Sequence, residues 1–207
     1  MGLSRLTPLR GSWFVYLYMA VGTDSSADVA GTALQAMSDQ DAFSGRDQVM
    51  LFTRPPPHPS SLPPYLLELQ NSIRALIGTR LPPDELSIAL DQPLARQVIL
   101  NLYPPGQGIS PHIDLPNRYA DGIIGVSLIG GPAMTFEHEG KGLRHEIYLP
   151  ERTIYVMTGE ARWEWKHGIE GRRSDSIQGV NGLETRLRST RVSVTFRWMK
   201  EGADILA

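Results

Sequence analysis

The 207-residue chain contains no cysteine. That absence excludes disulfides, a thiol nucleophile and any thiolate metal site, so a metal here has to be held by imidazole and carboxylate. Histidine is scarce, with five in the chain. An excess of charge of one sign is missing too: 20 basic against 22 acidic side chains give no global case for a nucleic-acid or membrane partner. No apolar run approaches the ~20 residues needed to span a bilayer. There is no H-E-x-x-H, Walker A, G-x-S-x-G or H-x-H pattern, and "GQGISP" lacks the third glycine of a dinucleotide-binding turn.

What remains fits one domain with a sizeable core. The opening "MGLSRLTPLRGSWFVYLYMAVG" places positive charge before an apolar run of about ten residues, in outline an export signal. Tyr16 and Tyr18 interrupt the run and no small-residue cleavage site follows, so a buried strand is expected. Leu6 stands where a myristoylation signal has Ser or Thr. An intracellular location is the default expectation.

Residues 1–94 read as a strand and helix layer. "WFVYLYMAV" and "DQVMLF" have strand character, "SSADVAGTALQAMSDQ" is a helix with a Ser cap, and "YLLELQNSIRALIG" is a helix closed by Gly78 after a Pro-rich loop. Residues 95–207 change texture. "RQVILNLY", "GIIGVSLIG", "AMTFEHE", "RHEIYLP", "TIYVMTG", "RWEWKHGI" and "RVSVTFRWM" are short strand-like runs separated by turn formers. The expected class is α+β, a jelly-roll (double-stranded β-helix) core with the N-terminal helices packed outside. The two parts together form one domain.

His112 and Asp114 stand two apart in "GISPHIDLPNRYADGIIGVSLIG". In a strand they would point to one face with Cα atoms roughly 6–7 Å apart, close enough to share a cation. A surface His beside an Asp that opens a turn at Pro116 is the alternative. A third ligand would come from His58, His138, His145 or His167. His58 lies in the Pro-rich loop, His138 in the hairpin "EHEGK" that reads as a solvated turn, and His145 at a polar strand edge. Alternation in "RWEWKHGI" places Trp163, Trp165 and His167 on one inward face, where a histidine is either a ligand or a satisfied core residue.

The last run, "RVSVTFRWM", separates Val192, Val194, Phe196 and Trp198 from Arg191, Ser193, Thr195 and Arg197. The polar set is either a wet face or the inside of a barrel. Inside, two guanidiniums would suit a dicarboxylate, because arginine offers a planar fork to carboxylate. Asn101 and Tyr103 share a face in "VILNLY" and add two polar groups.

N-x-Y, H-x-D, a distal His and two arginines six apart, in that order, resemble the AlkB family of 2-oxoglutarate- and Fe(II)-dependent dioxygenases, closely over residues 95–199. The resemblance implies that His112, Asp114 and His167 ligate Fe(II). It also implies that Asn101, Tyr103 and Arg191 hold 2-oxoglutarate, with Arg191 on the distal carboxylate and Arg197 near the chelating end. The implied reaction uses O2, releases succinate and CO2, and oxidises a C–H bond on nucleic acid, either modified tRNA or alkylated bases. A protein substrate, or a jelly roll that binds without turnover, are the alternatives.

Pro116 departs from the acidic residue that nucleic-acid demethylases of the family often carry two after the Asp. "GQGISPHID", "VMTGEARWEWKHGI" and Asp175 resemble instead the AlkB-like domain of tRNA wobble-uridine-modifying proteins. The RNA-recognition and methyltransferase modules that accompany that domain are not in these 207 residues. Arg144, Arg152, Arg162, Arg172, Arg173, Arg186 and Arg188 are expected either to form a basic rim for phosphates or to be ordinary surface charge. Trp163 and Trp165 are open to two uses, base stacking or core packing. "GRRSDSIQGVNGLETRLRST" is expected to be a mobile loop at the site mouth.

Overall fold

The computed structural model describes residues 4–6, 14–19, 29–179 and 182–203. Along the chain run β1 (Ser4–Leu6), β2 (Phe14–Met19), α1 (Val29–Asp39), β3 (Gln48–Phe52), α2 (Pro64–Ile77) and α3 (Pro83–Leu90). Then follow β4 (Arg96–Tyr103), β5 (Ile109–His112), β6 (Tyr119–Ile129), β7 (Ala133–His138), β8 (Leu143–Tyr148), β9 (Thr153–Thr158) and α4 (Gly159–Trp163). The chain ends with β10 (Lys166–Ile169), β11 (Ser174–Gly179), β12 (Gly182–Leu187) and β13 (Arg191–Met199). Helices α2 and α3 each start on a proline, which suits a position needing no N–H donor. Helix α3 is additional to the two helices expected. The Ser cap assigned to α1 falls outside the described residues.

Seven strands form the major sheet in the order β1-β2-β9-β6-β13-β4-β3, and four form the minor sheet, β5-β10-β7-β8. The pairings within them are antiparallel. Alternation along the central strands decides which layer each side chain enters. Val98 and Leu100 of β4, Ile124 and Val126 of β6, Val156 of β9, and Val194 and Phe196 of β13 pack against Leu66, Leu69, Ile73 and Ile77 of α2 in one core. The intervening residues Ile123, Tyr155 and Met157 face the other way and join Met134, Phe136 and Trp165 in a second core between the sheets. The α+β jelly roll with helices outside it is therefore the architecture. Residues before 94 also give three strands to the major sheet, so the helices and the sheet they cover are continuous.

Two expectations are corrected. "RWEWKHGI" is not one strand: Gly159, at φ +53°, opens the short helix α4, which runs to Trp163, and β10 begins only at Lys166. Trp163 therefore does not share a strand face with Trp165 and His167. The segment after His167 is not a loop but the hairpin β11–β12, whose residues 180 and 181 lie outside the described set.

Asp175 anchors that hairpin. Its buried carboxylate accepts the Ala133 backbone N–H at 3.1 Å, Arg172 Nε at 2.7 Å and Arg188 Nε at 2.6 Å. Burial raises its pKa, but the hydrogen bonds from Arg188 and Arg172 outweigh burial and hold the carboxyl below the usual aspartate range. A folded pKa below the unfolded one means that this anchoring is complete above the ordinary aspartate pKa. It is lost as pH falls through the depressed folded value. Asp175→Asn leaves the Arg188 guanidinium without its carboxylate, while Arg172 keeps Glu146 and Glu170, and should cost about 3 kcal/mol locally. Hydrogen exchange should show residues 174–179 and 182–187 losing protection at neutral pH, while amides of β4 and β13 keep theirs.

Candidate active site

His112 ends β5 directly opposite His167 on β10, and the two rings lie 4.5 Å apart, centroid to centroid. Asp114 is not on the strand. It stands two residues past the end of β5 in a stretch without regular structure, and its carboxylate turns back to 3.7 Å from His112 Nε2. One ligand atom from each of the three lies within 4.8 Å of the others. The His112 and Asp114 juxtaposition thus comes from a strand end and a bend rather than from strand alternation.

The electrostatics suit a cation. His112 Nδ1 lies 2.9 Å from the Ser110 carbonyl, so Nδ1 holds the proton and Nε2 keeps its lone pair for a ligand. Asp114 beside it raises the His112 pKa above the ordinary imidazole value. Burial pushes His167 down to about 4, so it is neutral at pH 7. Asp114 is raised by burial but lowered more by His112 and by Arg197, whose Nη2 lies 3.0 Å from Oδ1. Its other oxygen, Oδ2, is buried and has no hydrogen-bond partner. A buried, ionised carboxylate oxygen without a partner, next to two imidazoles, fits the two-His-one-carboxylate donor set of a ferrous site.

His112 and His167 line a cavity of about 130 Å³ between the sheets, with room for a small organic molecule rather than one or two waters. Its wall brings together the expected polar residues. Arg191 pairs in register with Tyr103, and Ser193 with Asn101, across β13 and β4. The polar side of β13 is therefore interior rather than wet. Arg191 is buried, with Nη1 3.0 Å from Ser193 Oγ, its guanidinium 5.4 Å from the Tyr103 ring and Nε unsatisfied. Among the described residues no carboxylate makes an ion pair with it. Burial lowers its pKa, opposed by the Tyr155 and Tyr103 phenols. A buried guanidinium without a counter-charge fits one carboxylate of a dianion.

Residues absent from the sequence-based site also line this wall. Gln48 donates from Nε2 to Asn101 Oδ1 at 2.7 Å, which leaves the Asn101 amide N–H groups for the cavity. Tyr155 enters because its partner across β6 and β9 is Gly125. An isolated glycine inside a strand pattern was the available signal. Trp165 is fully buried in the second core, so it is a core residue and cannot stack on a base.

His138 is not solvated as expected. It is buried, its Nδ1 accepts the Lys141 backbone N–H at 3.2 Å, and its Nε2 contacts Glu164 at 3.2 Å. His138, Glu160 and Glu164 are close enough for a cation. However, Nδ1 is an acceptor, so Nε2 carries the proton, while Lys141 and Trp165 donate to Glu160. That group is a satisfied structural network. The expected basic rim is also largely spent. Arg144 pairs with Glu137 and Glu170, Arg172 with Glu146, Glu170 and Asp175, Arg186 with Glu184, and Arg188 with Asp175. Arg162 is buried, and Arg173 is exposed.

Comparison with known proteins bears on this geometry. The family model for the 2OG-Fe(II) oxygenase superfamily matches residues 35–197. An uncharacterized protein of Acanthamoeba polyphaga mimivirus is 37% identical over 143 residues, covering 68% of this chain and 60% of that protein. The tRNA (carboxymethyluridine(34)-5-O)-methyltransferase alkbh8 of Xenopus tropicalis is 39% identical over 113 residues, 49% of this chain but 18% of that protein. The chain thus spans only part of the length of these curated relatives. The crystal structure of a Pseudomonas putida prolyl-4-hydroxylase superposes with a TM-score of 0.54 at 14% identity, covering 91% of this chain and 93% of that one, a likeness of fold.

The cavity wall rests on the close approach of Gly125 to Tyr155. A Cβ at 125 would lie 2.0 Å from Tyr155 Cζ. Gly125→Ala should force the ring aside and destabilise the protein by ~1–3 kcal/mol. The expected result is a lower denaturation midpoint with an unchanged slope.

Proposed function

Because the chain belongs to the 2OG-Fe(II) oxygenase superfamily and is AlkB-like, we propose that it is an Fe(II)- and 2-oxoglutarate-dependent dioxygenase acting on nucleic acid. The observation that carries this reading is one cavity with His112 and His167, which cluster with Asp114, at one place on its wall and the unpaired Arg191 guanidinium at another. With iron bound, the site supplies oxidation by O2, in which 2-oxoglutarate loses CO2 to become succinate and the second oxygen atom goes to a substrate C–H bond.

The chain's own residues do the positioning. His112, Asp114 and His167 would hold the metal with three protein donors, leaving the rest of its coordination to cosubstrate and oxygen. Arg191 would bind the distal carboxylate through its fork, with Tyr103 and Asn101 donating alongside. Arg197 keeps Asp114 ionised and fixed in orientation through the 3.0 Å contact. Ile109, Ile123 and Met134 close the cavity with apolar surface and limit the entry of bulk water.

The nucleic-acid reading is supported by the AlkB-like relative whose name places it on tRNA. A protein substrate is the second reading, favoured by the pairing of most rim arginines with carboxylates. Incubation with Fe(II), ascorbate, O2 and 2-oxoglutarate should yield succinate, and His112→Ala should abolish it. Absence of both succinate and metal binding would leave a non-catalytic binding module. Mass spectrometry of nucleosides and peptides after incubation with total tRNA, methylated oligonucleotides and cell extract should then show a mass change confined to a nucleoside.

Arg191→Met separates binding from folding. It should raise the dissociation constant for 2-oxoglutarate about 100-fold, the ~3 kcal/mol of a charge-assisted pair. It should leave the melting temperature of the metal-free protein unchanged or higher, because an apolar side chain replaces a buried, unpaired charge.

A further inference from the structure

Asp114 raises a mechanical problem. It sits outside regular structure, between the end of β5 and the turn that leads into β6. No ladder fixes its backbone, yet its carboxylate has to be held beside His112 and His167. The side chain that solves the problem comes from α4, an element with no ligand of its own.

Arg162 is 2% exposed. Its Nη1 donates to the Asp114 carbonyl at 3.0 Å, its Nη2 to the Tyr119 carbonyl at 3.0 Å and its Nε to the Ala120 carbonyl at 3.2 Å. All three acceptors are main-chain oxygens within the 113–120 segment, and none is a carboxylate. The Trp163 ring lies 4.2 Å from the guanidinium carbon and holds its plane. Trp163 is itself fixed by donating Nε1 to Asp121 Oδ2 at 3.2 Å, at the end of the same segment. A planar guanidinium spreads its donors over three nitrogens and so reaches three separated carbonyls at once, whereas lysine offers its donors from a single nitrogen and cannot reproduce that span.

The geometry points to Arg162 as a positioning residue that clamps the backbone of the Asp114 segment and thereby sets the metal site. Arg162 touches neither metal nor substrate and acts through Asp114. Its burial explains why it is absent from the basic rim. This inference rests on the reading that Asp114 is a ligand, and its test is arranged so that the two can fail separately.

Arg162→Lys keeps the charge and most of the stem, and Arg162→Gln removes the charge. In metal-free protein, hydrogen exchange of residues 113–120 should rise in both variants, with β4 and β13 unchanged. Mn(II), titrated by electron paramagnetic resonance, should bind about 10–100-fold more weakly. Exchange and Mn(II) affinity within twofold of the unsubstituted protein would overturn the inference. So would failure of Arg162→Lys to fold, since that would make Arg162 a general structural residue. Absence of Mn(II) binding in the unsubstituted protein would sink the metal reading instead, and the metal-free exchange experiment would still decide whether Arg162 clamps the segment.

Discussion

Strand β13 is buried on both faces, and the rest of the molecule depends on this constraint. It lies in the major sheet between β6 and β4. On one side Val192, Val194 and Phe196 enter the helix-covered core, each contributing roughly 1.5–3 kcal/mol by burial. On the other side Arg191, Ser193, Thr195 and Arg197 line the cavity. A buried guanidinium without a counter-charge costs several kcal/mol, of the same order as the apolar side contributes. The strand can therefore carry Arg191 inward only because its opposite face is continuous with the α2 core. Pairing with β4 then places Tyr103 and Asn101 next to it without further design.

The same constraint couples the two ligands of the proposed reaction. Asp114 already faces Arg197, so a divalent cation among His112, Asp114 and His167 adds positive charge to a wall that holds Arg191 and Arg197. A dicarboxylate cancels that charge. Each ligand lowers the electrostatic cost of the other, and by linkage the benefit is reciprocal. The structural arginines contribute as well, since the charge of Arg162 helps keep His167 neutral, although burial dominates there.

Legibility in the sequence followed the length of the alternating pattern. The nine residues of β13 and the eight of β4 show their two faces outright, and with them came Arg191, Arg197, Asn101 and Tyr103. Short elements did not announce themselves. Strand β5 has four residues, one of them Pro111, and its ladder with β10 shifts register. Helix α4 has five residues, and its Arg162 and Trp163 read as strand, because tertiary bonds from Arg162, not local propensity, hold it. The order of motifs singled out His112, Asp114 and His167, which the structure brings within reach of one another, where local geometry did not. Tyr155 and Gln48 were hidden for the opposite reason: each sits on a strand that was recognised, but facing into the cavity is a property of the sheet packing.

The C-terminal arginines show why composition cannot distinguish a phosphate-binding rim from a structural network. Arg162 and Arg188 are committed to buried acceptors, the first to carbonyls and the second to Asp175, and releasing either would strand a buried charge. Arg144 and Arg186 are different, because their carboxylate partners are exposed pairs worth only ~0–1 kcal/mol. Exchanging such a carboxylate for a phosphate costs little. A polyanion at this face would therefore draw on Arg144, Arg173 and Arg186 while the buried arginines keep the hairpin and the Asp114 segment in place. The pairing seen in the structure is thus compatible with a nucleic-acid substrate, provided that specificity comes from the cavity rather than from the charge around it.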